Sequence, residues 1–480
     1  MTEPITGPMG ALPTDAQLLG MLGDWSAEGH GGLARRLAQA LRTAVSSGIV
    51  AGGARLPPER QLAQLLSVSR STVTAAFDEL RAEGLVTSRQ GRGTEVVGEA
   101  DPTTTGDRVA GHFVTRGAGI DLAAIVPTDG SHLPPMTIRT EDLVAAQGQL
   151  APYGLSSLRE ALAQRHGTFG RITGADQIQV THGAHHAIAL TVDALVRPGA
   201  AVAIEDPAYP GILDLVDHRR GRPVALPIRA GGPDPQELCT LLQRERPALV
   251  YLQTGAHNPT GHVMGPARRR ALAQVLDEHG DTVLIADNTL ADLVFDGRPG
   301  PEFDELCRVV PVVTIESFSK VAWAGLRIGW LRATGTVADR IGRVRVANDL
   351  GPSVPSQLLA LQMLPGYEGI AALRRRRLAA TVERCVDHMA EVFGDWSVVA
   401  PAGSSAIWPE LPVADTLAFV ALARRHGVHV TPGSAHVVGS GVDSHIRFCV
   451  DRPPAHVDEG LDRLATAWRD LSRRTARSIA

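Results

Sequence analysis

The 480-residue sequence predicts an α/β protein, in which a small N-terminal winged helix-turn-helix precedes a much larger body of alternating strands and helices. Three observations carry that expectation. Short helical patterns between residues 30 and 97 end in two strand-like runs joined by a basic, Gly-rich turn. Beyond residue 120, apolar runs of strand length alternate with helical patterns, the arrangement of a parallel or mixed sheet covered by helices. Lastly, the chain contains one lysine, Lys320, which follows one of those apolar runs.

Residues 1–29 are a Gly/Pro-rich lead. Leu33, Leu37, Ala40, Leu41, Ala44 and Val45 then recur at helical spacing until Gly48. Pro57-Pro58 opens a second short helix through Leu66, since a proline in the first turn forfeits no helical hydrogen bond. Ser67-Val68 is the turn. Ser69 can cap a third helix whose inward face is Val73, Ala76, Phe77 and Leu80, with Arg70, Ser71, Thr74 and Arg81 outward. Gly84 closes it, and residues 85–88 and 94–97 form a hairpin about Arg89-Gln90-Gly91-Arg92-Gly93. Residues 98–119 are polar and without periodicity, which predicts a linker. In the body, residues 120–480, strands are expected at 201–204, 248–252, 283–286 and 309–315, with a helix-rich stretch and two short strands near Val428 and Ile446 after Gly351.

Composition narrows the function classes. A net charge of −4 leaves polyanion binding to a local patch, and four scattered cysteines without a C-x-x-C pair predict neither a disulfide framework nor a thiolate metal site. A reducing cytoplasm fits. No basic-then-apolar leader and no long apolar span is visible, so neither secretion nor membrane insertion is expected. The local patch is present between Leu33 and Val97, where nine arginines face five acidic residues. In a winged helix-turn-helix the third helix enters the major groove, so Arg70 is placed to reach guanine and Ser69, Ser71, Thr72 and Thr74 to bond base edges or phosphates.

The runs Gly53-Ala54-Arg55-Leu56-Pro57-Pro58-Glu59-Arg60-Gln61-Leu62-Ala63, Val68-Ser69-Arg70-Ser71-Thr72-Val73 and Arg89-Gln90-Gly91-Arg92-Gly93-Thr94 resemble the GntR-type DNA-binding domain. The resemblance implies contacts to double-stranded DNA from Arg60, from the polar start of the third helix, and from Gln90 and Gly91 at the wing tip. Glu95 departs from the apolar residue usual there.

An aldehyde cofactor needs an amine, a counter-ion for its ring nitrogen, a phosphate cup, a stacking ring and a donor to its phenolate. Lysine can supply the amine where arginine cannot, because a guanidinium stays protonated. Asp287 ends the apolar run 283–286, where it suits either a ring-nitrogen partner or a helix cap. Gly183-Ala184-His185 opens a helix and presents backbone N–H groups to an anion, with Ser317, Ser319 and Arg327 available to complete the cup. Tyr209 is a stacking ring or a packed turn tyrosine, and Asn258 a phenolate donor or a turn residue. His182, His185 and His186 have no acidic or thiol partner nearby in sequence, so no metal is expected.

Taken together these residues resemble the fold type I aminotransferases, from about Leu122 to the C-terminus. The resemblance implies pyridoxal 5'-phosphate held by Lys320, Asp287, Asn258, Tyr209, Ser317, Ser319 and Arg327, a large α/β domain with a smaller C-terminal α+β domain, and a substrate carboxylate held by Arg447. Thr289 stands where a phenolate-binding tyrosine is usual, and the stretch after Tyr153 is short. A GntR-type reader joined to such a body resembles the MocR subfamily of transcription regulators. That implies a head-to-tail homodimer which senses a small amino compound, or pyridoxal phosphate itself. The alternatives are a working aminotransferase with a DNA-binding module, and a DNA-binding protein with a purely structural aminotransferase fold.

Overall fold

In the computed structural model, residues 22, 25–26, 31–46, 50, 55–89, 93–97, 108–109, 119–146, 150–229, 231–439 and 443–479 are described. The N-terminal module comprises α1 (Leu33–Ser46), α2 (Glu59–Leu65) and α3 (Arg70–Ala82), closed by β2 (Val86–Arg89) and β3 (Gly93–Val96). A short β1 (Arg55–Leu56) adds a third strand, pairing antiparallel with β3. Leu37, Leu41, Leu62, Val73, Phe77 and Leu80 fill its core, the faces that the helical spacing specifies. Ser69 caps α3 as expected, its hydroxyl accepting from the backbone N–H of Thr72 at 3.1 Å. Gln90 and Gly91 lie outside the described residues. Within the expected linker, the backbone N–H groups of Arg108 and Val109 donate to the Asp214 carboxylate at 2.9 and 2.8 Å, which ties this pair to the body.

After β4 (Ile120–Asp121) the chain builds an eight-stranded sheet from β5 (Ile178–Thr181), β6 (Ala201–Asp206), β7 (Arg222–Arg229), β8 (Gly232–Pro233), β9 (Leu249–Gln253), β10 (Val283–Asp287), β11 (Val312–Ser317) and β12 (Gly329–Arg332). Their spatial order is β5-β12-β11-β10-β9-β6-β7-β8. The strands from β11 across to β7 run parallel, while β12 is antiparallel to both its neighbours. Strand β11 begins later than expected. Pro311 has no N–H for a ladder, and the N–H groups of Arg308, Val309 and Val310 all donate to the Asp277 carboxylate instead. Helices cover both faces, including α4 (Ala184–Leu195) and α5 (Gly335–Asn348).

Charged side chains are buried behind the sheet. Glu316 on β11 meets Arg165 at 3.1 Å, Arg171 at 3.0 Å and Arg298 at 2.7 Å, and Asp292 meets Arg165 at 3.0 Å and Arg298 at 2.8 Å. The Arg298 charge, more than any other neighbour, holds both carboxyls below the usual range against the opposing effect of burial.

The smaller domain joins α6 (Tyr367–Val392), β13 (Ala406–Ile407), α7 (Leu417–Arg425), β14 (Val428–His429), β15 (Thr431–Pro432), β16 (Ile446–Cys449) and α8 (Pro454–Ile479). Strand β4 reaches back to pair with β14, so the segment entering the body belongs to this domain. Among the described residues, no helix is long and apolar enough to cross a membrane.

Candidate functional site: a cleft at the strand ends

Parallel strands place their C-terminal ends along one edge of a sheet, and the residues after β5, β6, β9, β10 and β11 all emerge there. Gly183 and Ala184 follow β5, Tyr209 follows β6, Asn258 follows β9, Asp287 ends β10, and Ser317 ends β11 with Ser319 and Lys320 just beyond. Sequence-distant candidates thus converge on one edge.

Lys320 donates to the carbonyl of Ile125 at 2.6 Å. Burial pushes its ε-amine down to about 8, and the neighbouring Arg447 and Arg327 charges act in the same direction. The neutral amine, which a carbonyl nucleophile requires, is therefore far more accessible near physiological pH than in an ordinary lysine.

Asp287 is buried and accepts from three donors: the Tyr251 hydroxyl at 2.6 Å on one oxygen, and the Thr289 hydroxyl at 2.5 Å and N–H at 2.9 Å on the other. Its carboxylate is fixed in place without a formal positive partner among these bonds. The sequence reading missed Tyr251, which lies 36 residues upstream; an aromatic hydroxyl inside the apolar run 248–252 was the available signal. Burial, and then the Asp287 charge, raise the Tyr251 hydroxyl far above its ordinary range, so it remains a donor.

Asn258 is held by Gln253, which accepts its backbone N–H at 3.1 Å and donates to its carbonyl at 2.8 Å. Arg447 donates to the Asn258 side-chain oxygen at 3.2 Å, leaving the amide NH2 as the donor end. Beneath them Glu205 accepts the Gln253 N–H at 2.6 Å, and burial pushes its carboxyl up to about 8. The Tyr209 hydroxyl lies 3.2 Å from His185 Nδ1.

The phosphate cup has a geometric test. Gly183 takes φ +91°, and a Cβ there would come within 3.0 Å of the Arg327 guanidinium, which itself bonds the carbonyl of His182. Directly after it α4 opens with free N–H groups, so the guanidinium and the positive helix end face one spot. Ser317 and Ser319 are buried there, their hydroxyls 2.9 Å apart. The donor set fits a dianionic phosphate.

Arg447 is buried on β16, donating to the Ala123 carbonyl and to the Thr431 hydroxyl. Its Nε has no partner among the described residues. Burial lowers its pKa, yet a guanidinium begins so high that the charge persists. A buried cation with an unused N–H fits a carboxylate.

The structure supplies what the sequence lacked beside the histidines. Asp349 lies 2.9 Å from His182 Nε2 and 3.6 Å from His186 Nε2. His186 Nδ1 accepts the His182 N–H at 3.2 Å, which makes Nε2 the protonated nitrogen of a neutral ring, and the three side chains each bring one possible ligand atom together.

On the module, Arg60, Ser69, Arg70 and Ser71 are exposed, and Thr72 and Thr74 partly so. Glu59, unremarked in the sequence reading, accepts from Arg70 at 3.3 Å and from Thr74 at 2.9 Å, and so ties α2 to the outer face of α3. Ser69 Oγ lies 2.8 Å from Ser71 Oγ and 2.7 Å from Thr72 Oγ1.

Comparison with known proteins agrees with this division. Residues 33–96 match the family of bacterial regulatory proteins, gntR family, and residues 120–464 match aminotransferase class I and II. The chain is 28% identical over 451 residues to the HTH-type transcriptional regulator YdcR of Escherichia coli, covering 86% of this chain and 94% of that one. It is 28% identical over 309 residues to the 2-aminoadipate transaminase of Thermus thermophilus, covering 62% of this chain and 76% of that protein. Among solved structures, the Thermus thermophilus α-aminoadipate aminotransferase LysN, complexed with N-(5'-phosphopyridoxyl)-L-leucine, superposes with a TM-score of 0.66 at 25% identity, over 74% of this chain and 93% of that one. The chain belongs to the aminotransferase class I and II family, in the MocR-type form that carries a gntR helix-turn-helix ahead of the pyridoxal-phosphate fold.

Proposed function

We propose that this protein is a DNA-binding transcription regulator whose aminotransferase-like body holds pyridoxal 5'-phosphate and senses an amino acid or related amine. The observation that carries the reading is the pairing, in one cleft, of the solitary lysine with a buried arginine whose Nε is unused, on a chain that begins with a gntR-type module. Pyridoxal phosphate supplies an aldehyde and an electron-withdrawing ring. Lys320 would hold the aldehyde carbon, Asp287 the ring nitrogen, Asn258 the phenolate oxygen and Tyr209 the ring face. Gly183, Ala184, His185, Ser317, Ser319 and Arg327 would hold the phosphate. Arg447 takes the carboxylate of the incoming amino compound by a two-pronged contact.

DNA is read by the module, with Arg60, Arg70 and the hydroxyls of Ser69, Ser71, Thr72 and Thr74 on its outer face. By their resemblance to the gntR-type domain Gln90 and Gly91 also contact DNA, and two modules act together in a head-to-tail homodimer in the cytoplasm. Sensing requires the ligand to bind two arrangements of the protein unequally.

The test is a gel shift on the intergenic DNA upstream of the protein's own gene, with and without pyridoxal phosphate and a panel of amino acids. Arg70→Ala should abolish the shift, whereas Lys320→Ala should keep it and remove its dependence on amino acids. A shift that is identical under all these conditions for the unaltered protein overturns sensing.

A second reading, a working aminotransferase that also binds DNA, is favoured by Lys320, its pKa lowered by burial, lying on the same sheet edge as Asp287 and Asn258. Steady-state amino transfer to a keto acid, lost in Lys320→Ala, would establish it.

A further inference from the structure

Helix α7 of the small domain has two buried faces, and they belong to two different cores. Phe419, Val420, Leu422 and Ala423 pack into the small-domain core. Leu417 and Ala421 instead join the core of the N-terminal module. Positions 417, 421 and 425 repeat every four residues and therefore share one side of the helix. Arg425 at the end of that side donates to the backbone carbonyl of Ser67 at 2.7 Å, while the Ser67 hydroxyl donates to the carbonyl of Ala418 at 3.2 Å. Ser67 is the turn between α2 and α3, two residues ahead of the cap of the DNA-reading helix. The grip thus falls where it sets the angle of α3.

The other end of α7 touches the strand that carries Arg447. Thr416, the residue that begins the helix, donates through its hydroxyl to the carbonyl of His445 at 2.8 Å. His445 is two residues before Arg447. Past its C-terminus the helix runs directly into β14 and β15, and Thr431 of β15 pairs with Arg447 in register and accepts a hydrogen bond from its guanidinium at 3.2 Å. Helix α7 and strands β14, β15 and β16, elements of one domain, connect the buried guanidinium to the helix-turn-helix turn.

We propose that α7 is the dock on which the small domain carries the DNA-reading module, so that capture of a carboxylate at Arg447 moves α3 together with the small domain as one body. This rests on the sensing role proposed above, but the dock itself is testable without it. Adjacent elements packed in one core move rigidly, because a close-packed interior transmits displacement and does not absorb it. The large domain, which supplies the Lys320 side of the cleft, then serves as the fixed frame.

The experiment uses the full-length protein loaded with pyridoxal phosphate, with Ala421→Glu placing a charge in the shared face and Arg425→Ala removing the guanidinium that bonds Ser67. Hydrogen exchange at residues 62–68 is the first readout, and both variants should lose protection there, by about ten-fold or more for Ala421→Glu. The second is the ratio of DNA affinities with and without L-2-aminoadipate, L-leucine or L-alanine. A coupling of about ten-fold in the unaltered protein should fall to within about two-fold in Ala421→Glu, with amino-acid binding, followed in the visible absorption band, kept. Unchanged exchange at 62–68 in both variants overturns the dock. Lost protection with a fully retained DNA response overturns the coupling. If the unaltered protein shows no amino-acid response on DNA, the sensing role fails, and the dock stands or falls on exchange alone. Should Ala421→Glu unfold the module, Arg425→Ala decides both readouts.

Discussion

The two ends of this molecule treat arginine in opposite ways. In the body, Arg165 and Arg298 have side chains 7% and 9% exposed and are locked between Glu316 and Asp292. On the module, the side chain of Arg70 is 73% exposed and makes one long bond to Glu59. A small-molecule site needs its donors fixed before the ligand arrives, and buried charge pairs impose that geometry because moving either partner strands the other. A polyanion is recognised by another route, in which exposed guanidinium groups displace counterions and settle against phosphate or base edges. One residue type is therefore internal scaffold at one end and exposed surface of a gntR-type module at the other.

The comparison breaks most completely at Lys320. Lys320→Arg keeps the charge and the length but should eliminate covalent cofactor attachment, read as loss of the pyridoxyl tag after borohydride reduction. In the unaltered protein the rate of attachment should rise with pH and level off above about 8, because the neutral amine is the nucleophile. Next is Glu316→Gln, which leaves three buried arginines short of a counter-ion and should cost about 3–5 kcal/mol of the body's stability in thermal or urea unfolding. Both carboxyls of this network have folded pKa values below their ordinary ones, so their stabilisation is complete above the ordinary glutamate value of 4.5 and is lost as pH falls toward the folded values. Acid should therefore loosen the unaltered body in a way that Glu316→Gln has already forfeited.

Arg447→Lys retains a cation without the fork and should weaken amino-acid binding by about 2 kcal/mol by calorimetry, with cofactor attachment unaffected. On the module, Arg70→Ala should cost about 3 kcal/mol for the preferred operator, enough to abolish the gel shift, and relax selection at the base position proposed for it, whereas Arg60→Ala should lower affinity on all sequences and reduce the salt slope by about one. Ser69→Ala removes the cap of α3 and should lower the module's stability by about 1 kcal/mol, measured as urea unfolding with the body intact.

The sequence was most legible where a local rule sufficed. Helical periodicity located α1 and α3, Ser69 was readable as a cap, and apolar runs marked β6, β9 and β10 to within one or two residues. Strand β1 was missed because two residues have no alternation to read, and its partner β3 lies some forty positions away. The early start assigned to β11 followed apolar character alone; Val309 is 62% exposed, its N–H taken by Asp277. In the cleft, the groups with their own chemical signature were visible one at a time. Their supports were not. Tyr251 under Asp287 depends on β9 lying next to β10, and Asp349 beside His182 on α5 packing against α4, long-range placements that residue spacing does not encode.

Having a single lysine, itself sequestered in the cleft, also limits what the cell can write onto this protein. No side-chain amine elsewhere is available for acetylation, succinylation or sugar adducts, so any such mark away from the α-amino group would have to sit at position 320. Acylation there would abolish the amine's nucleophilicity and its charge in one event.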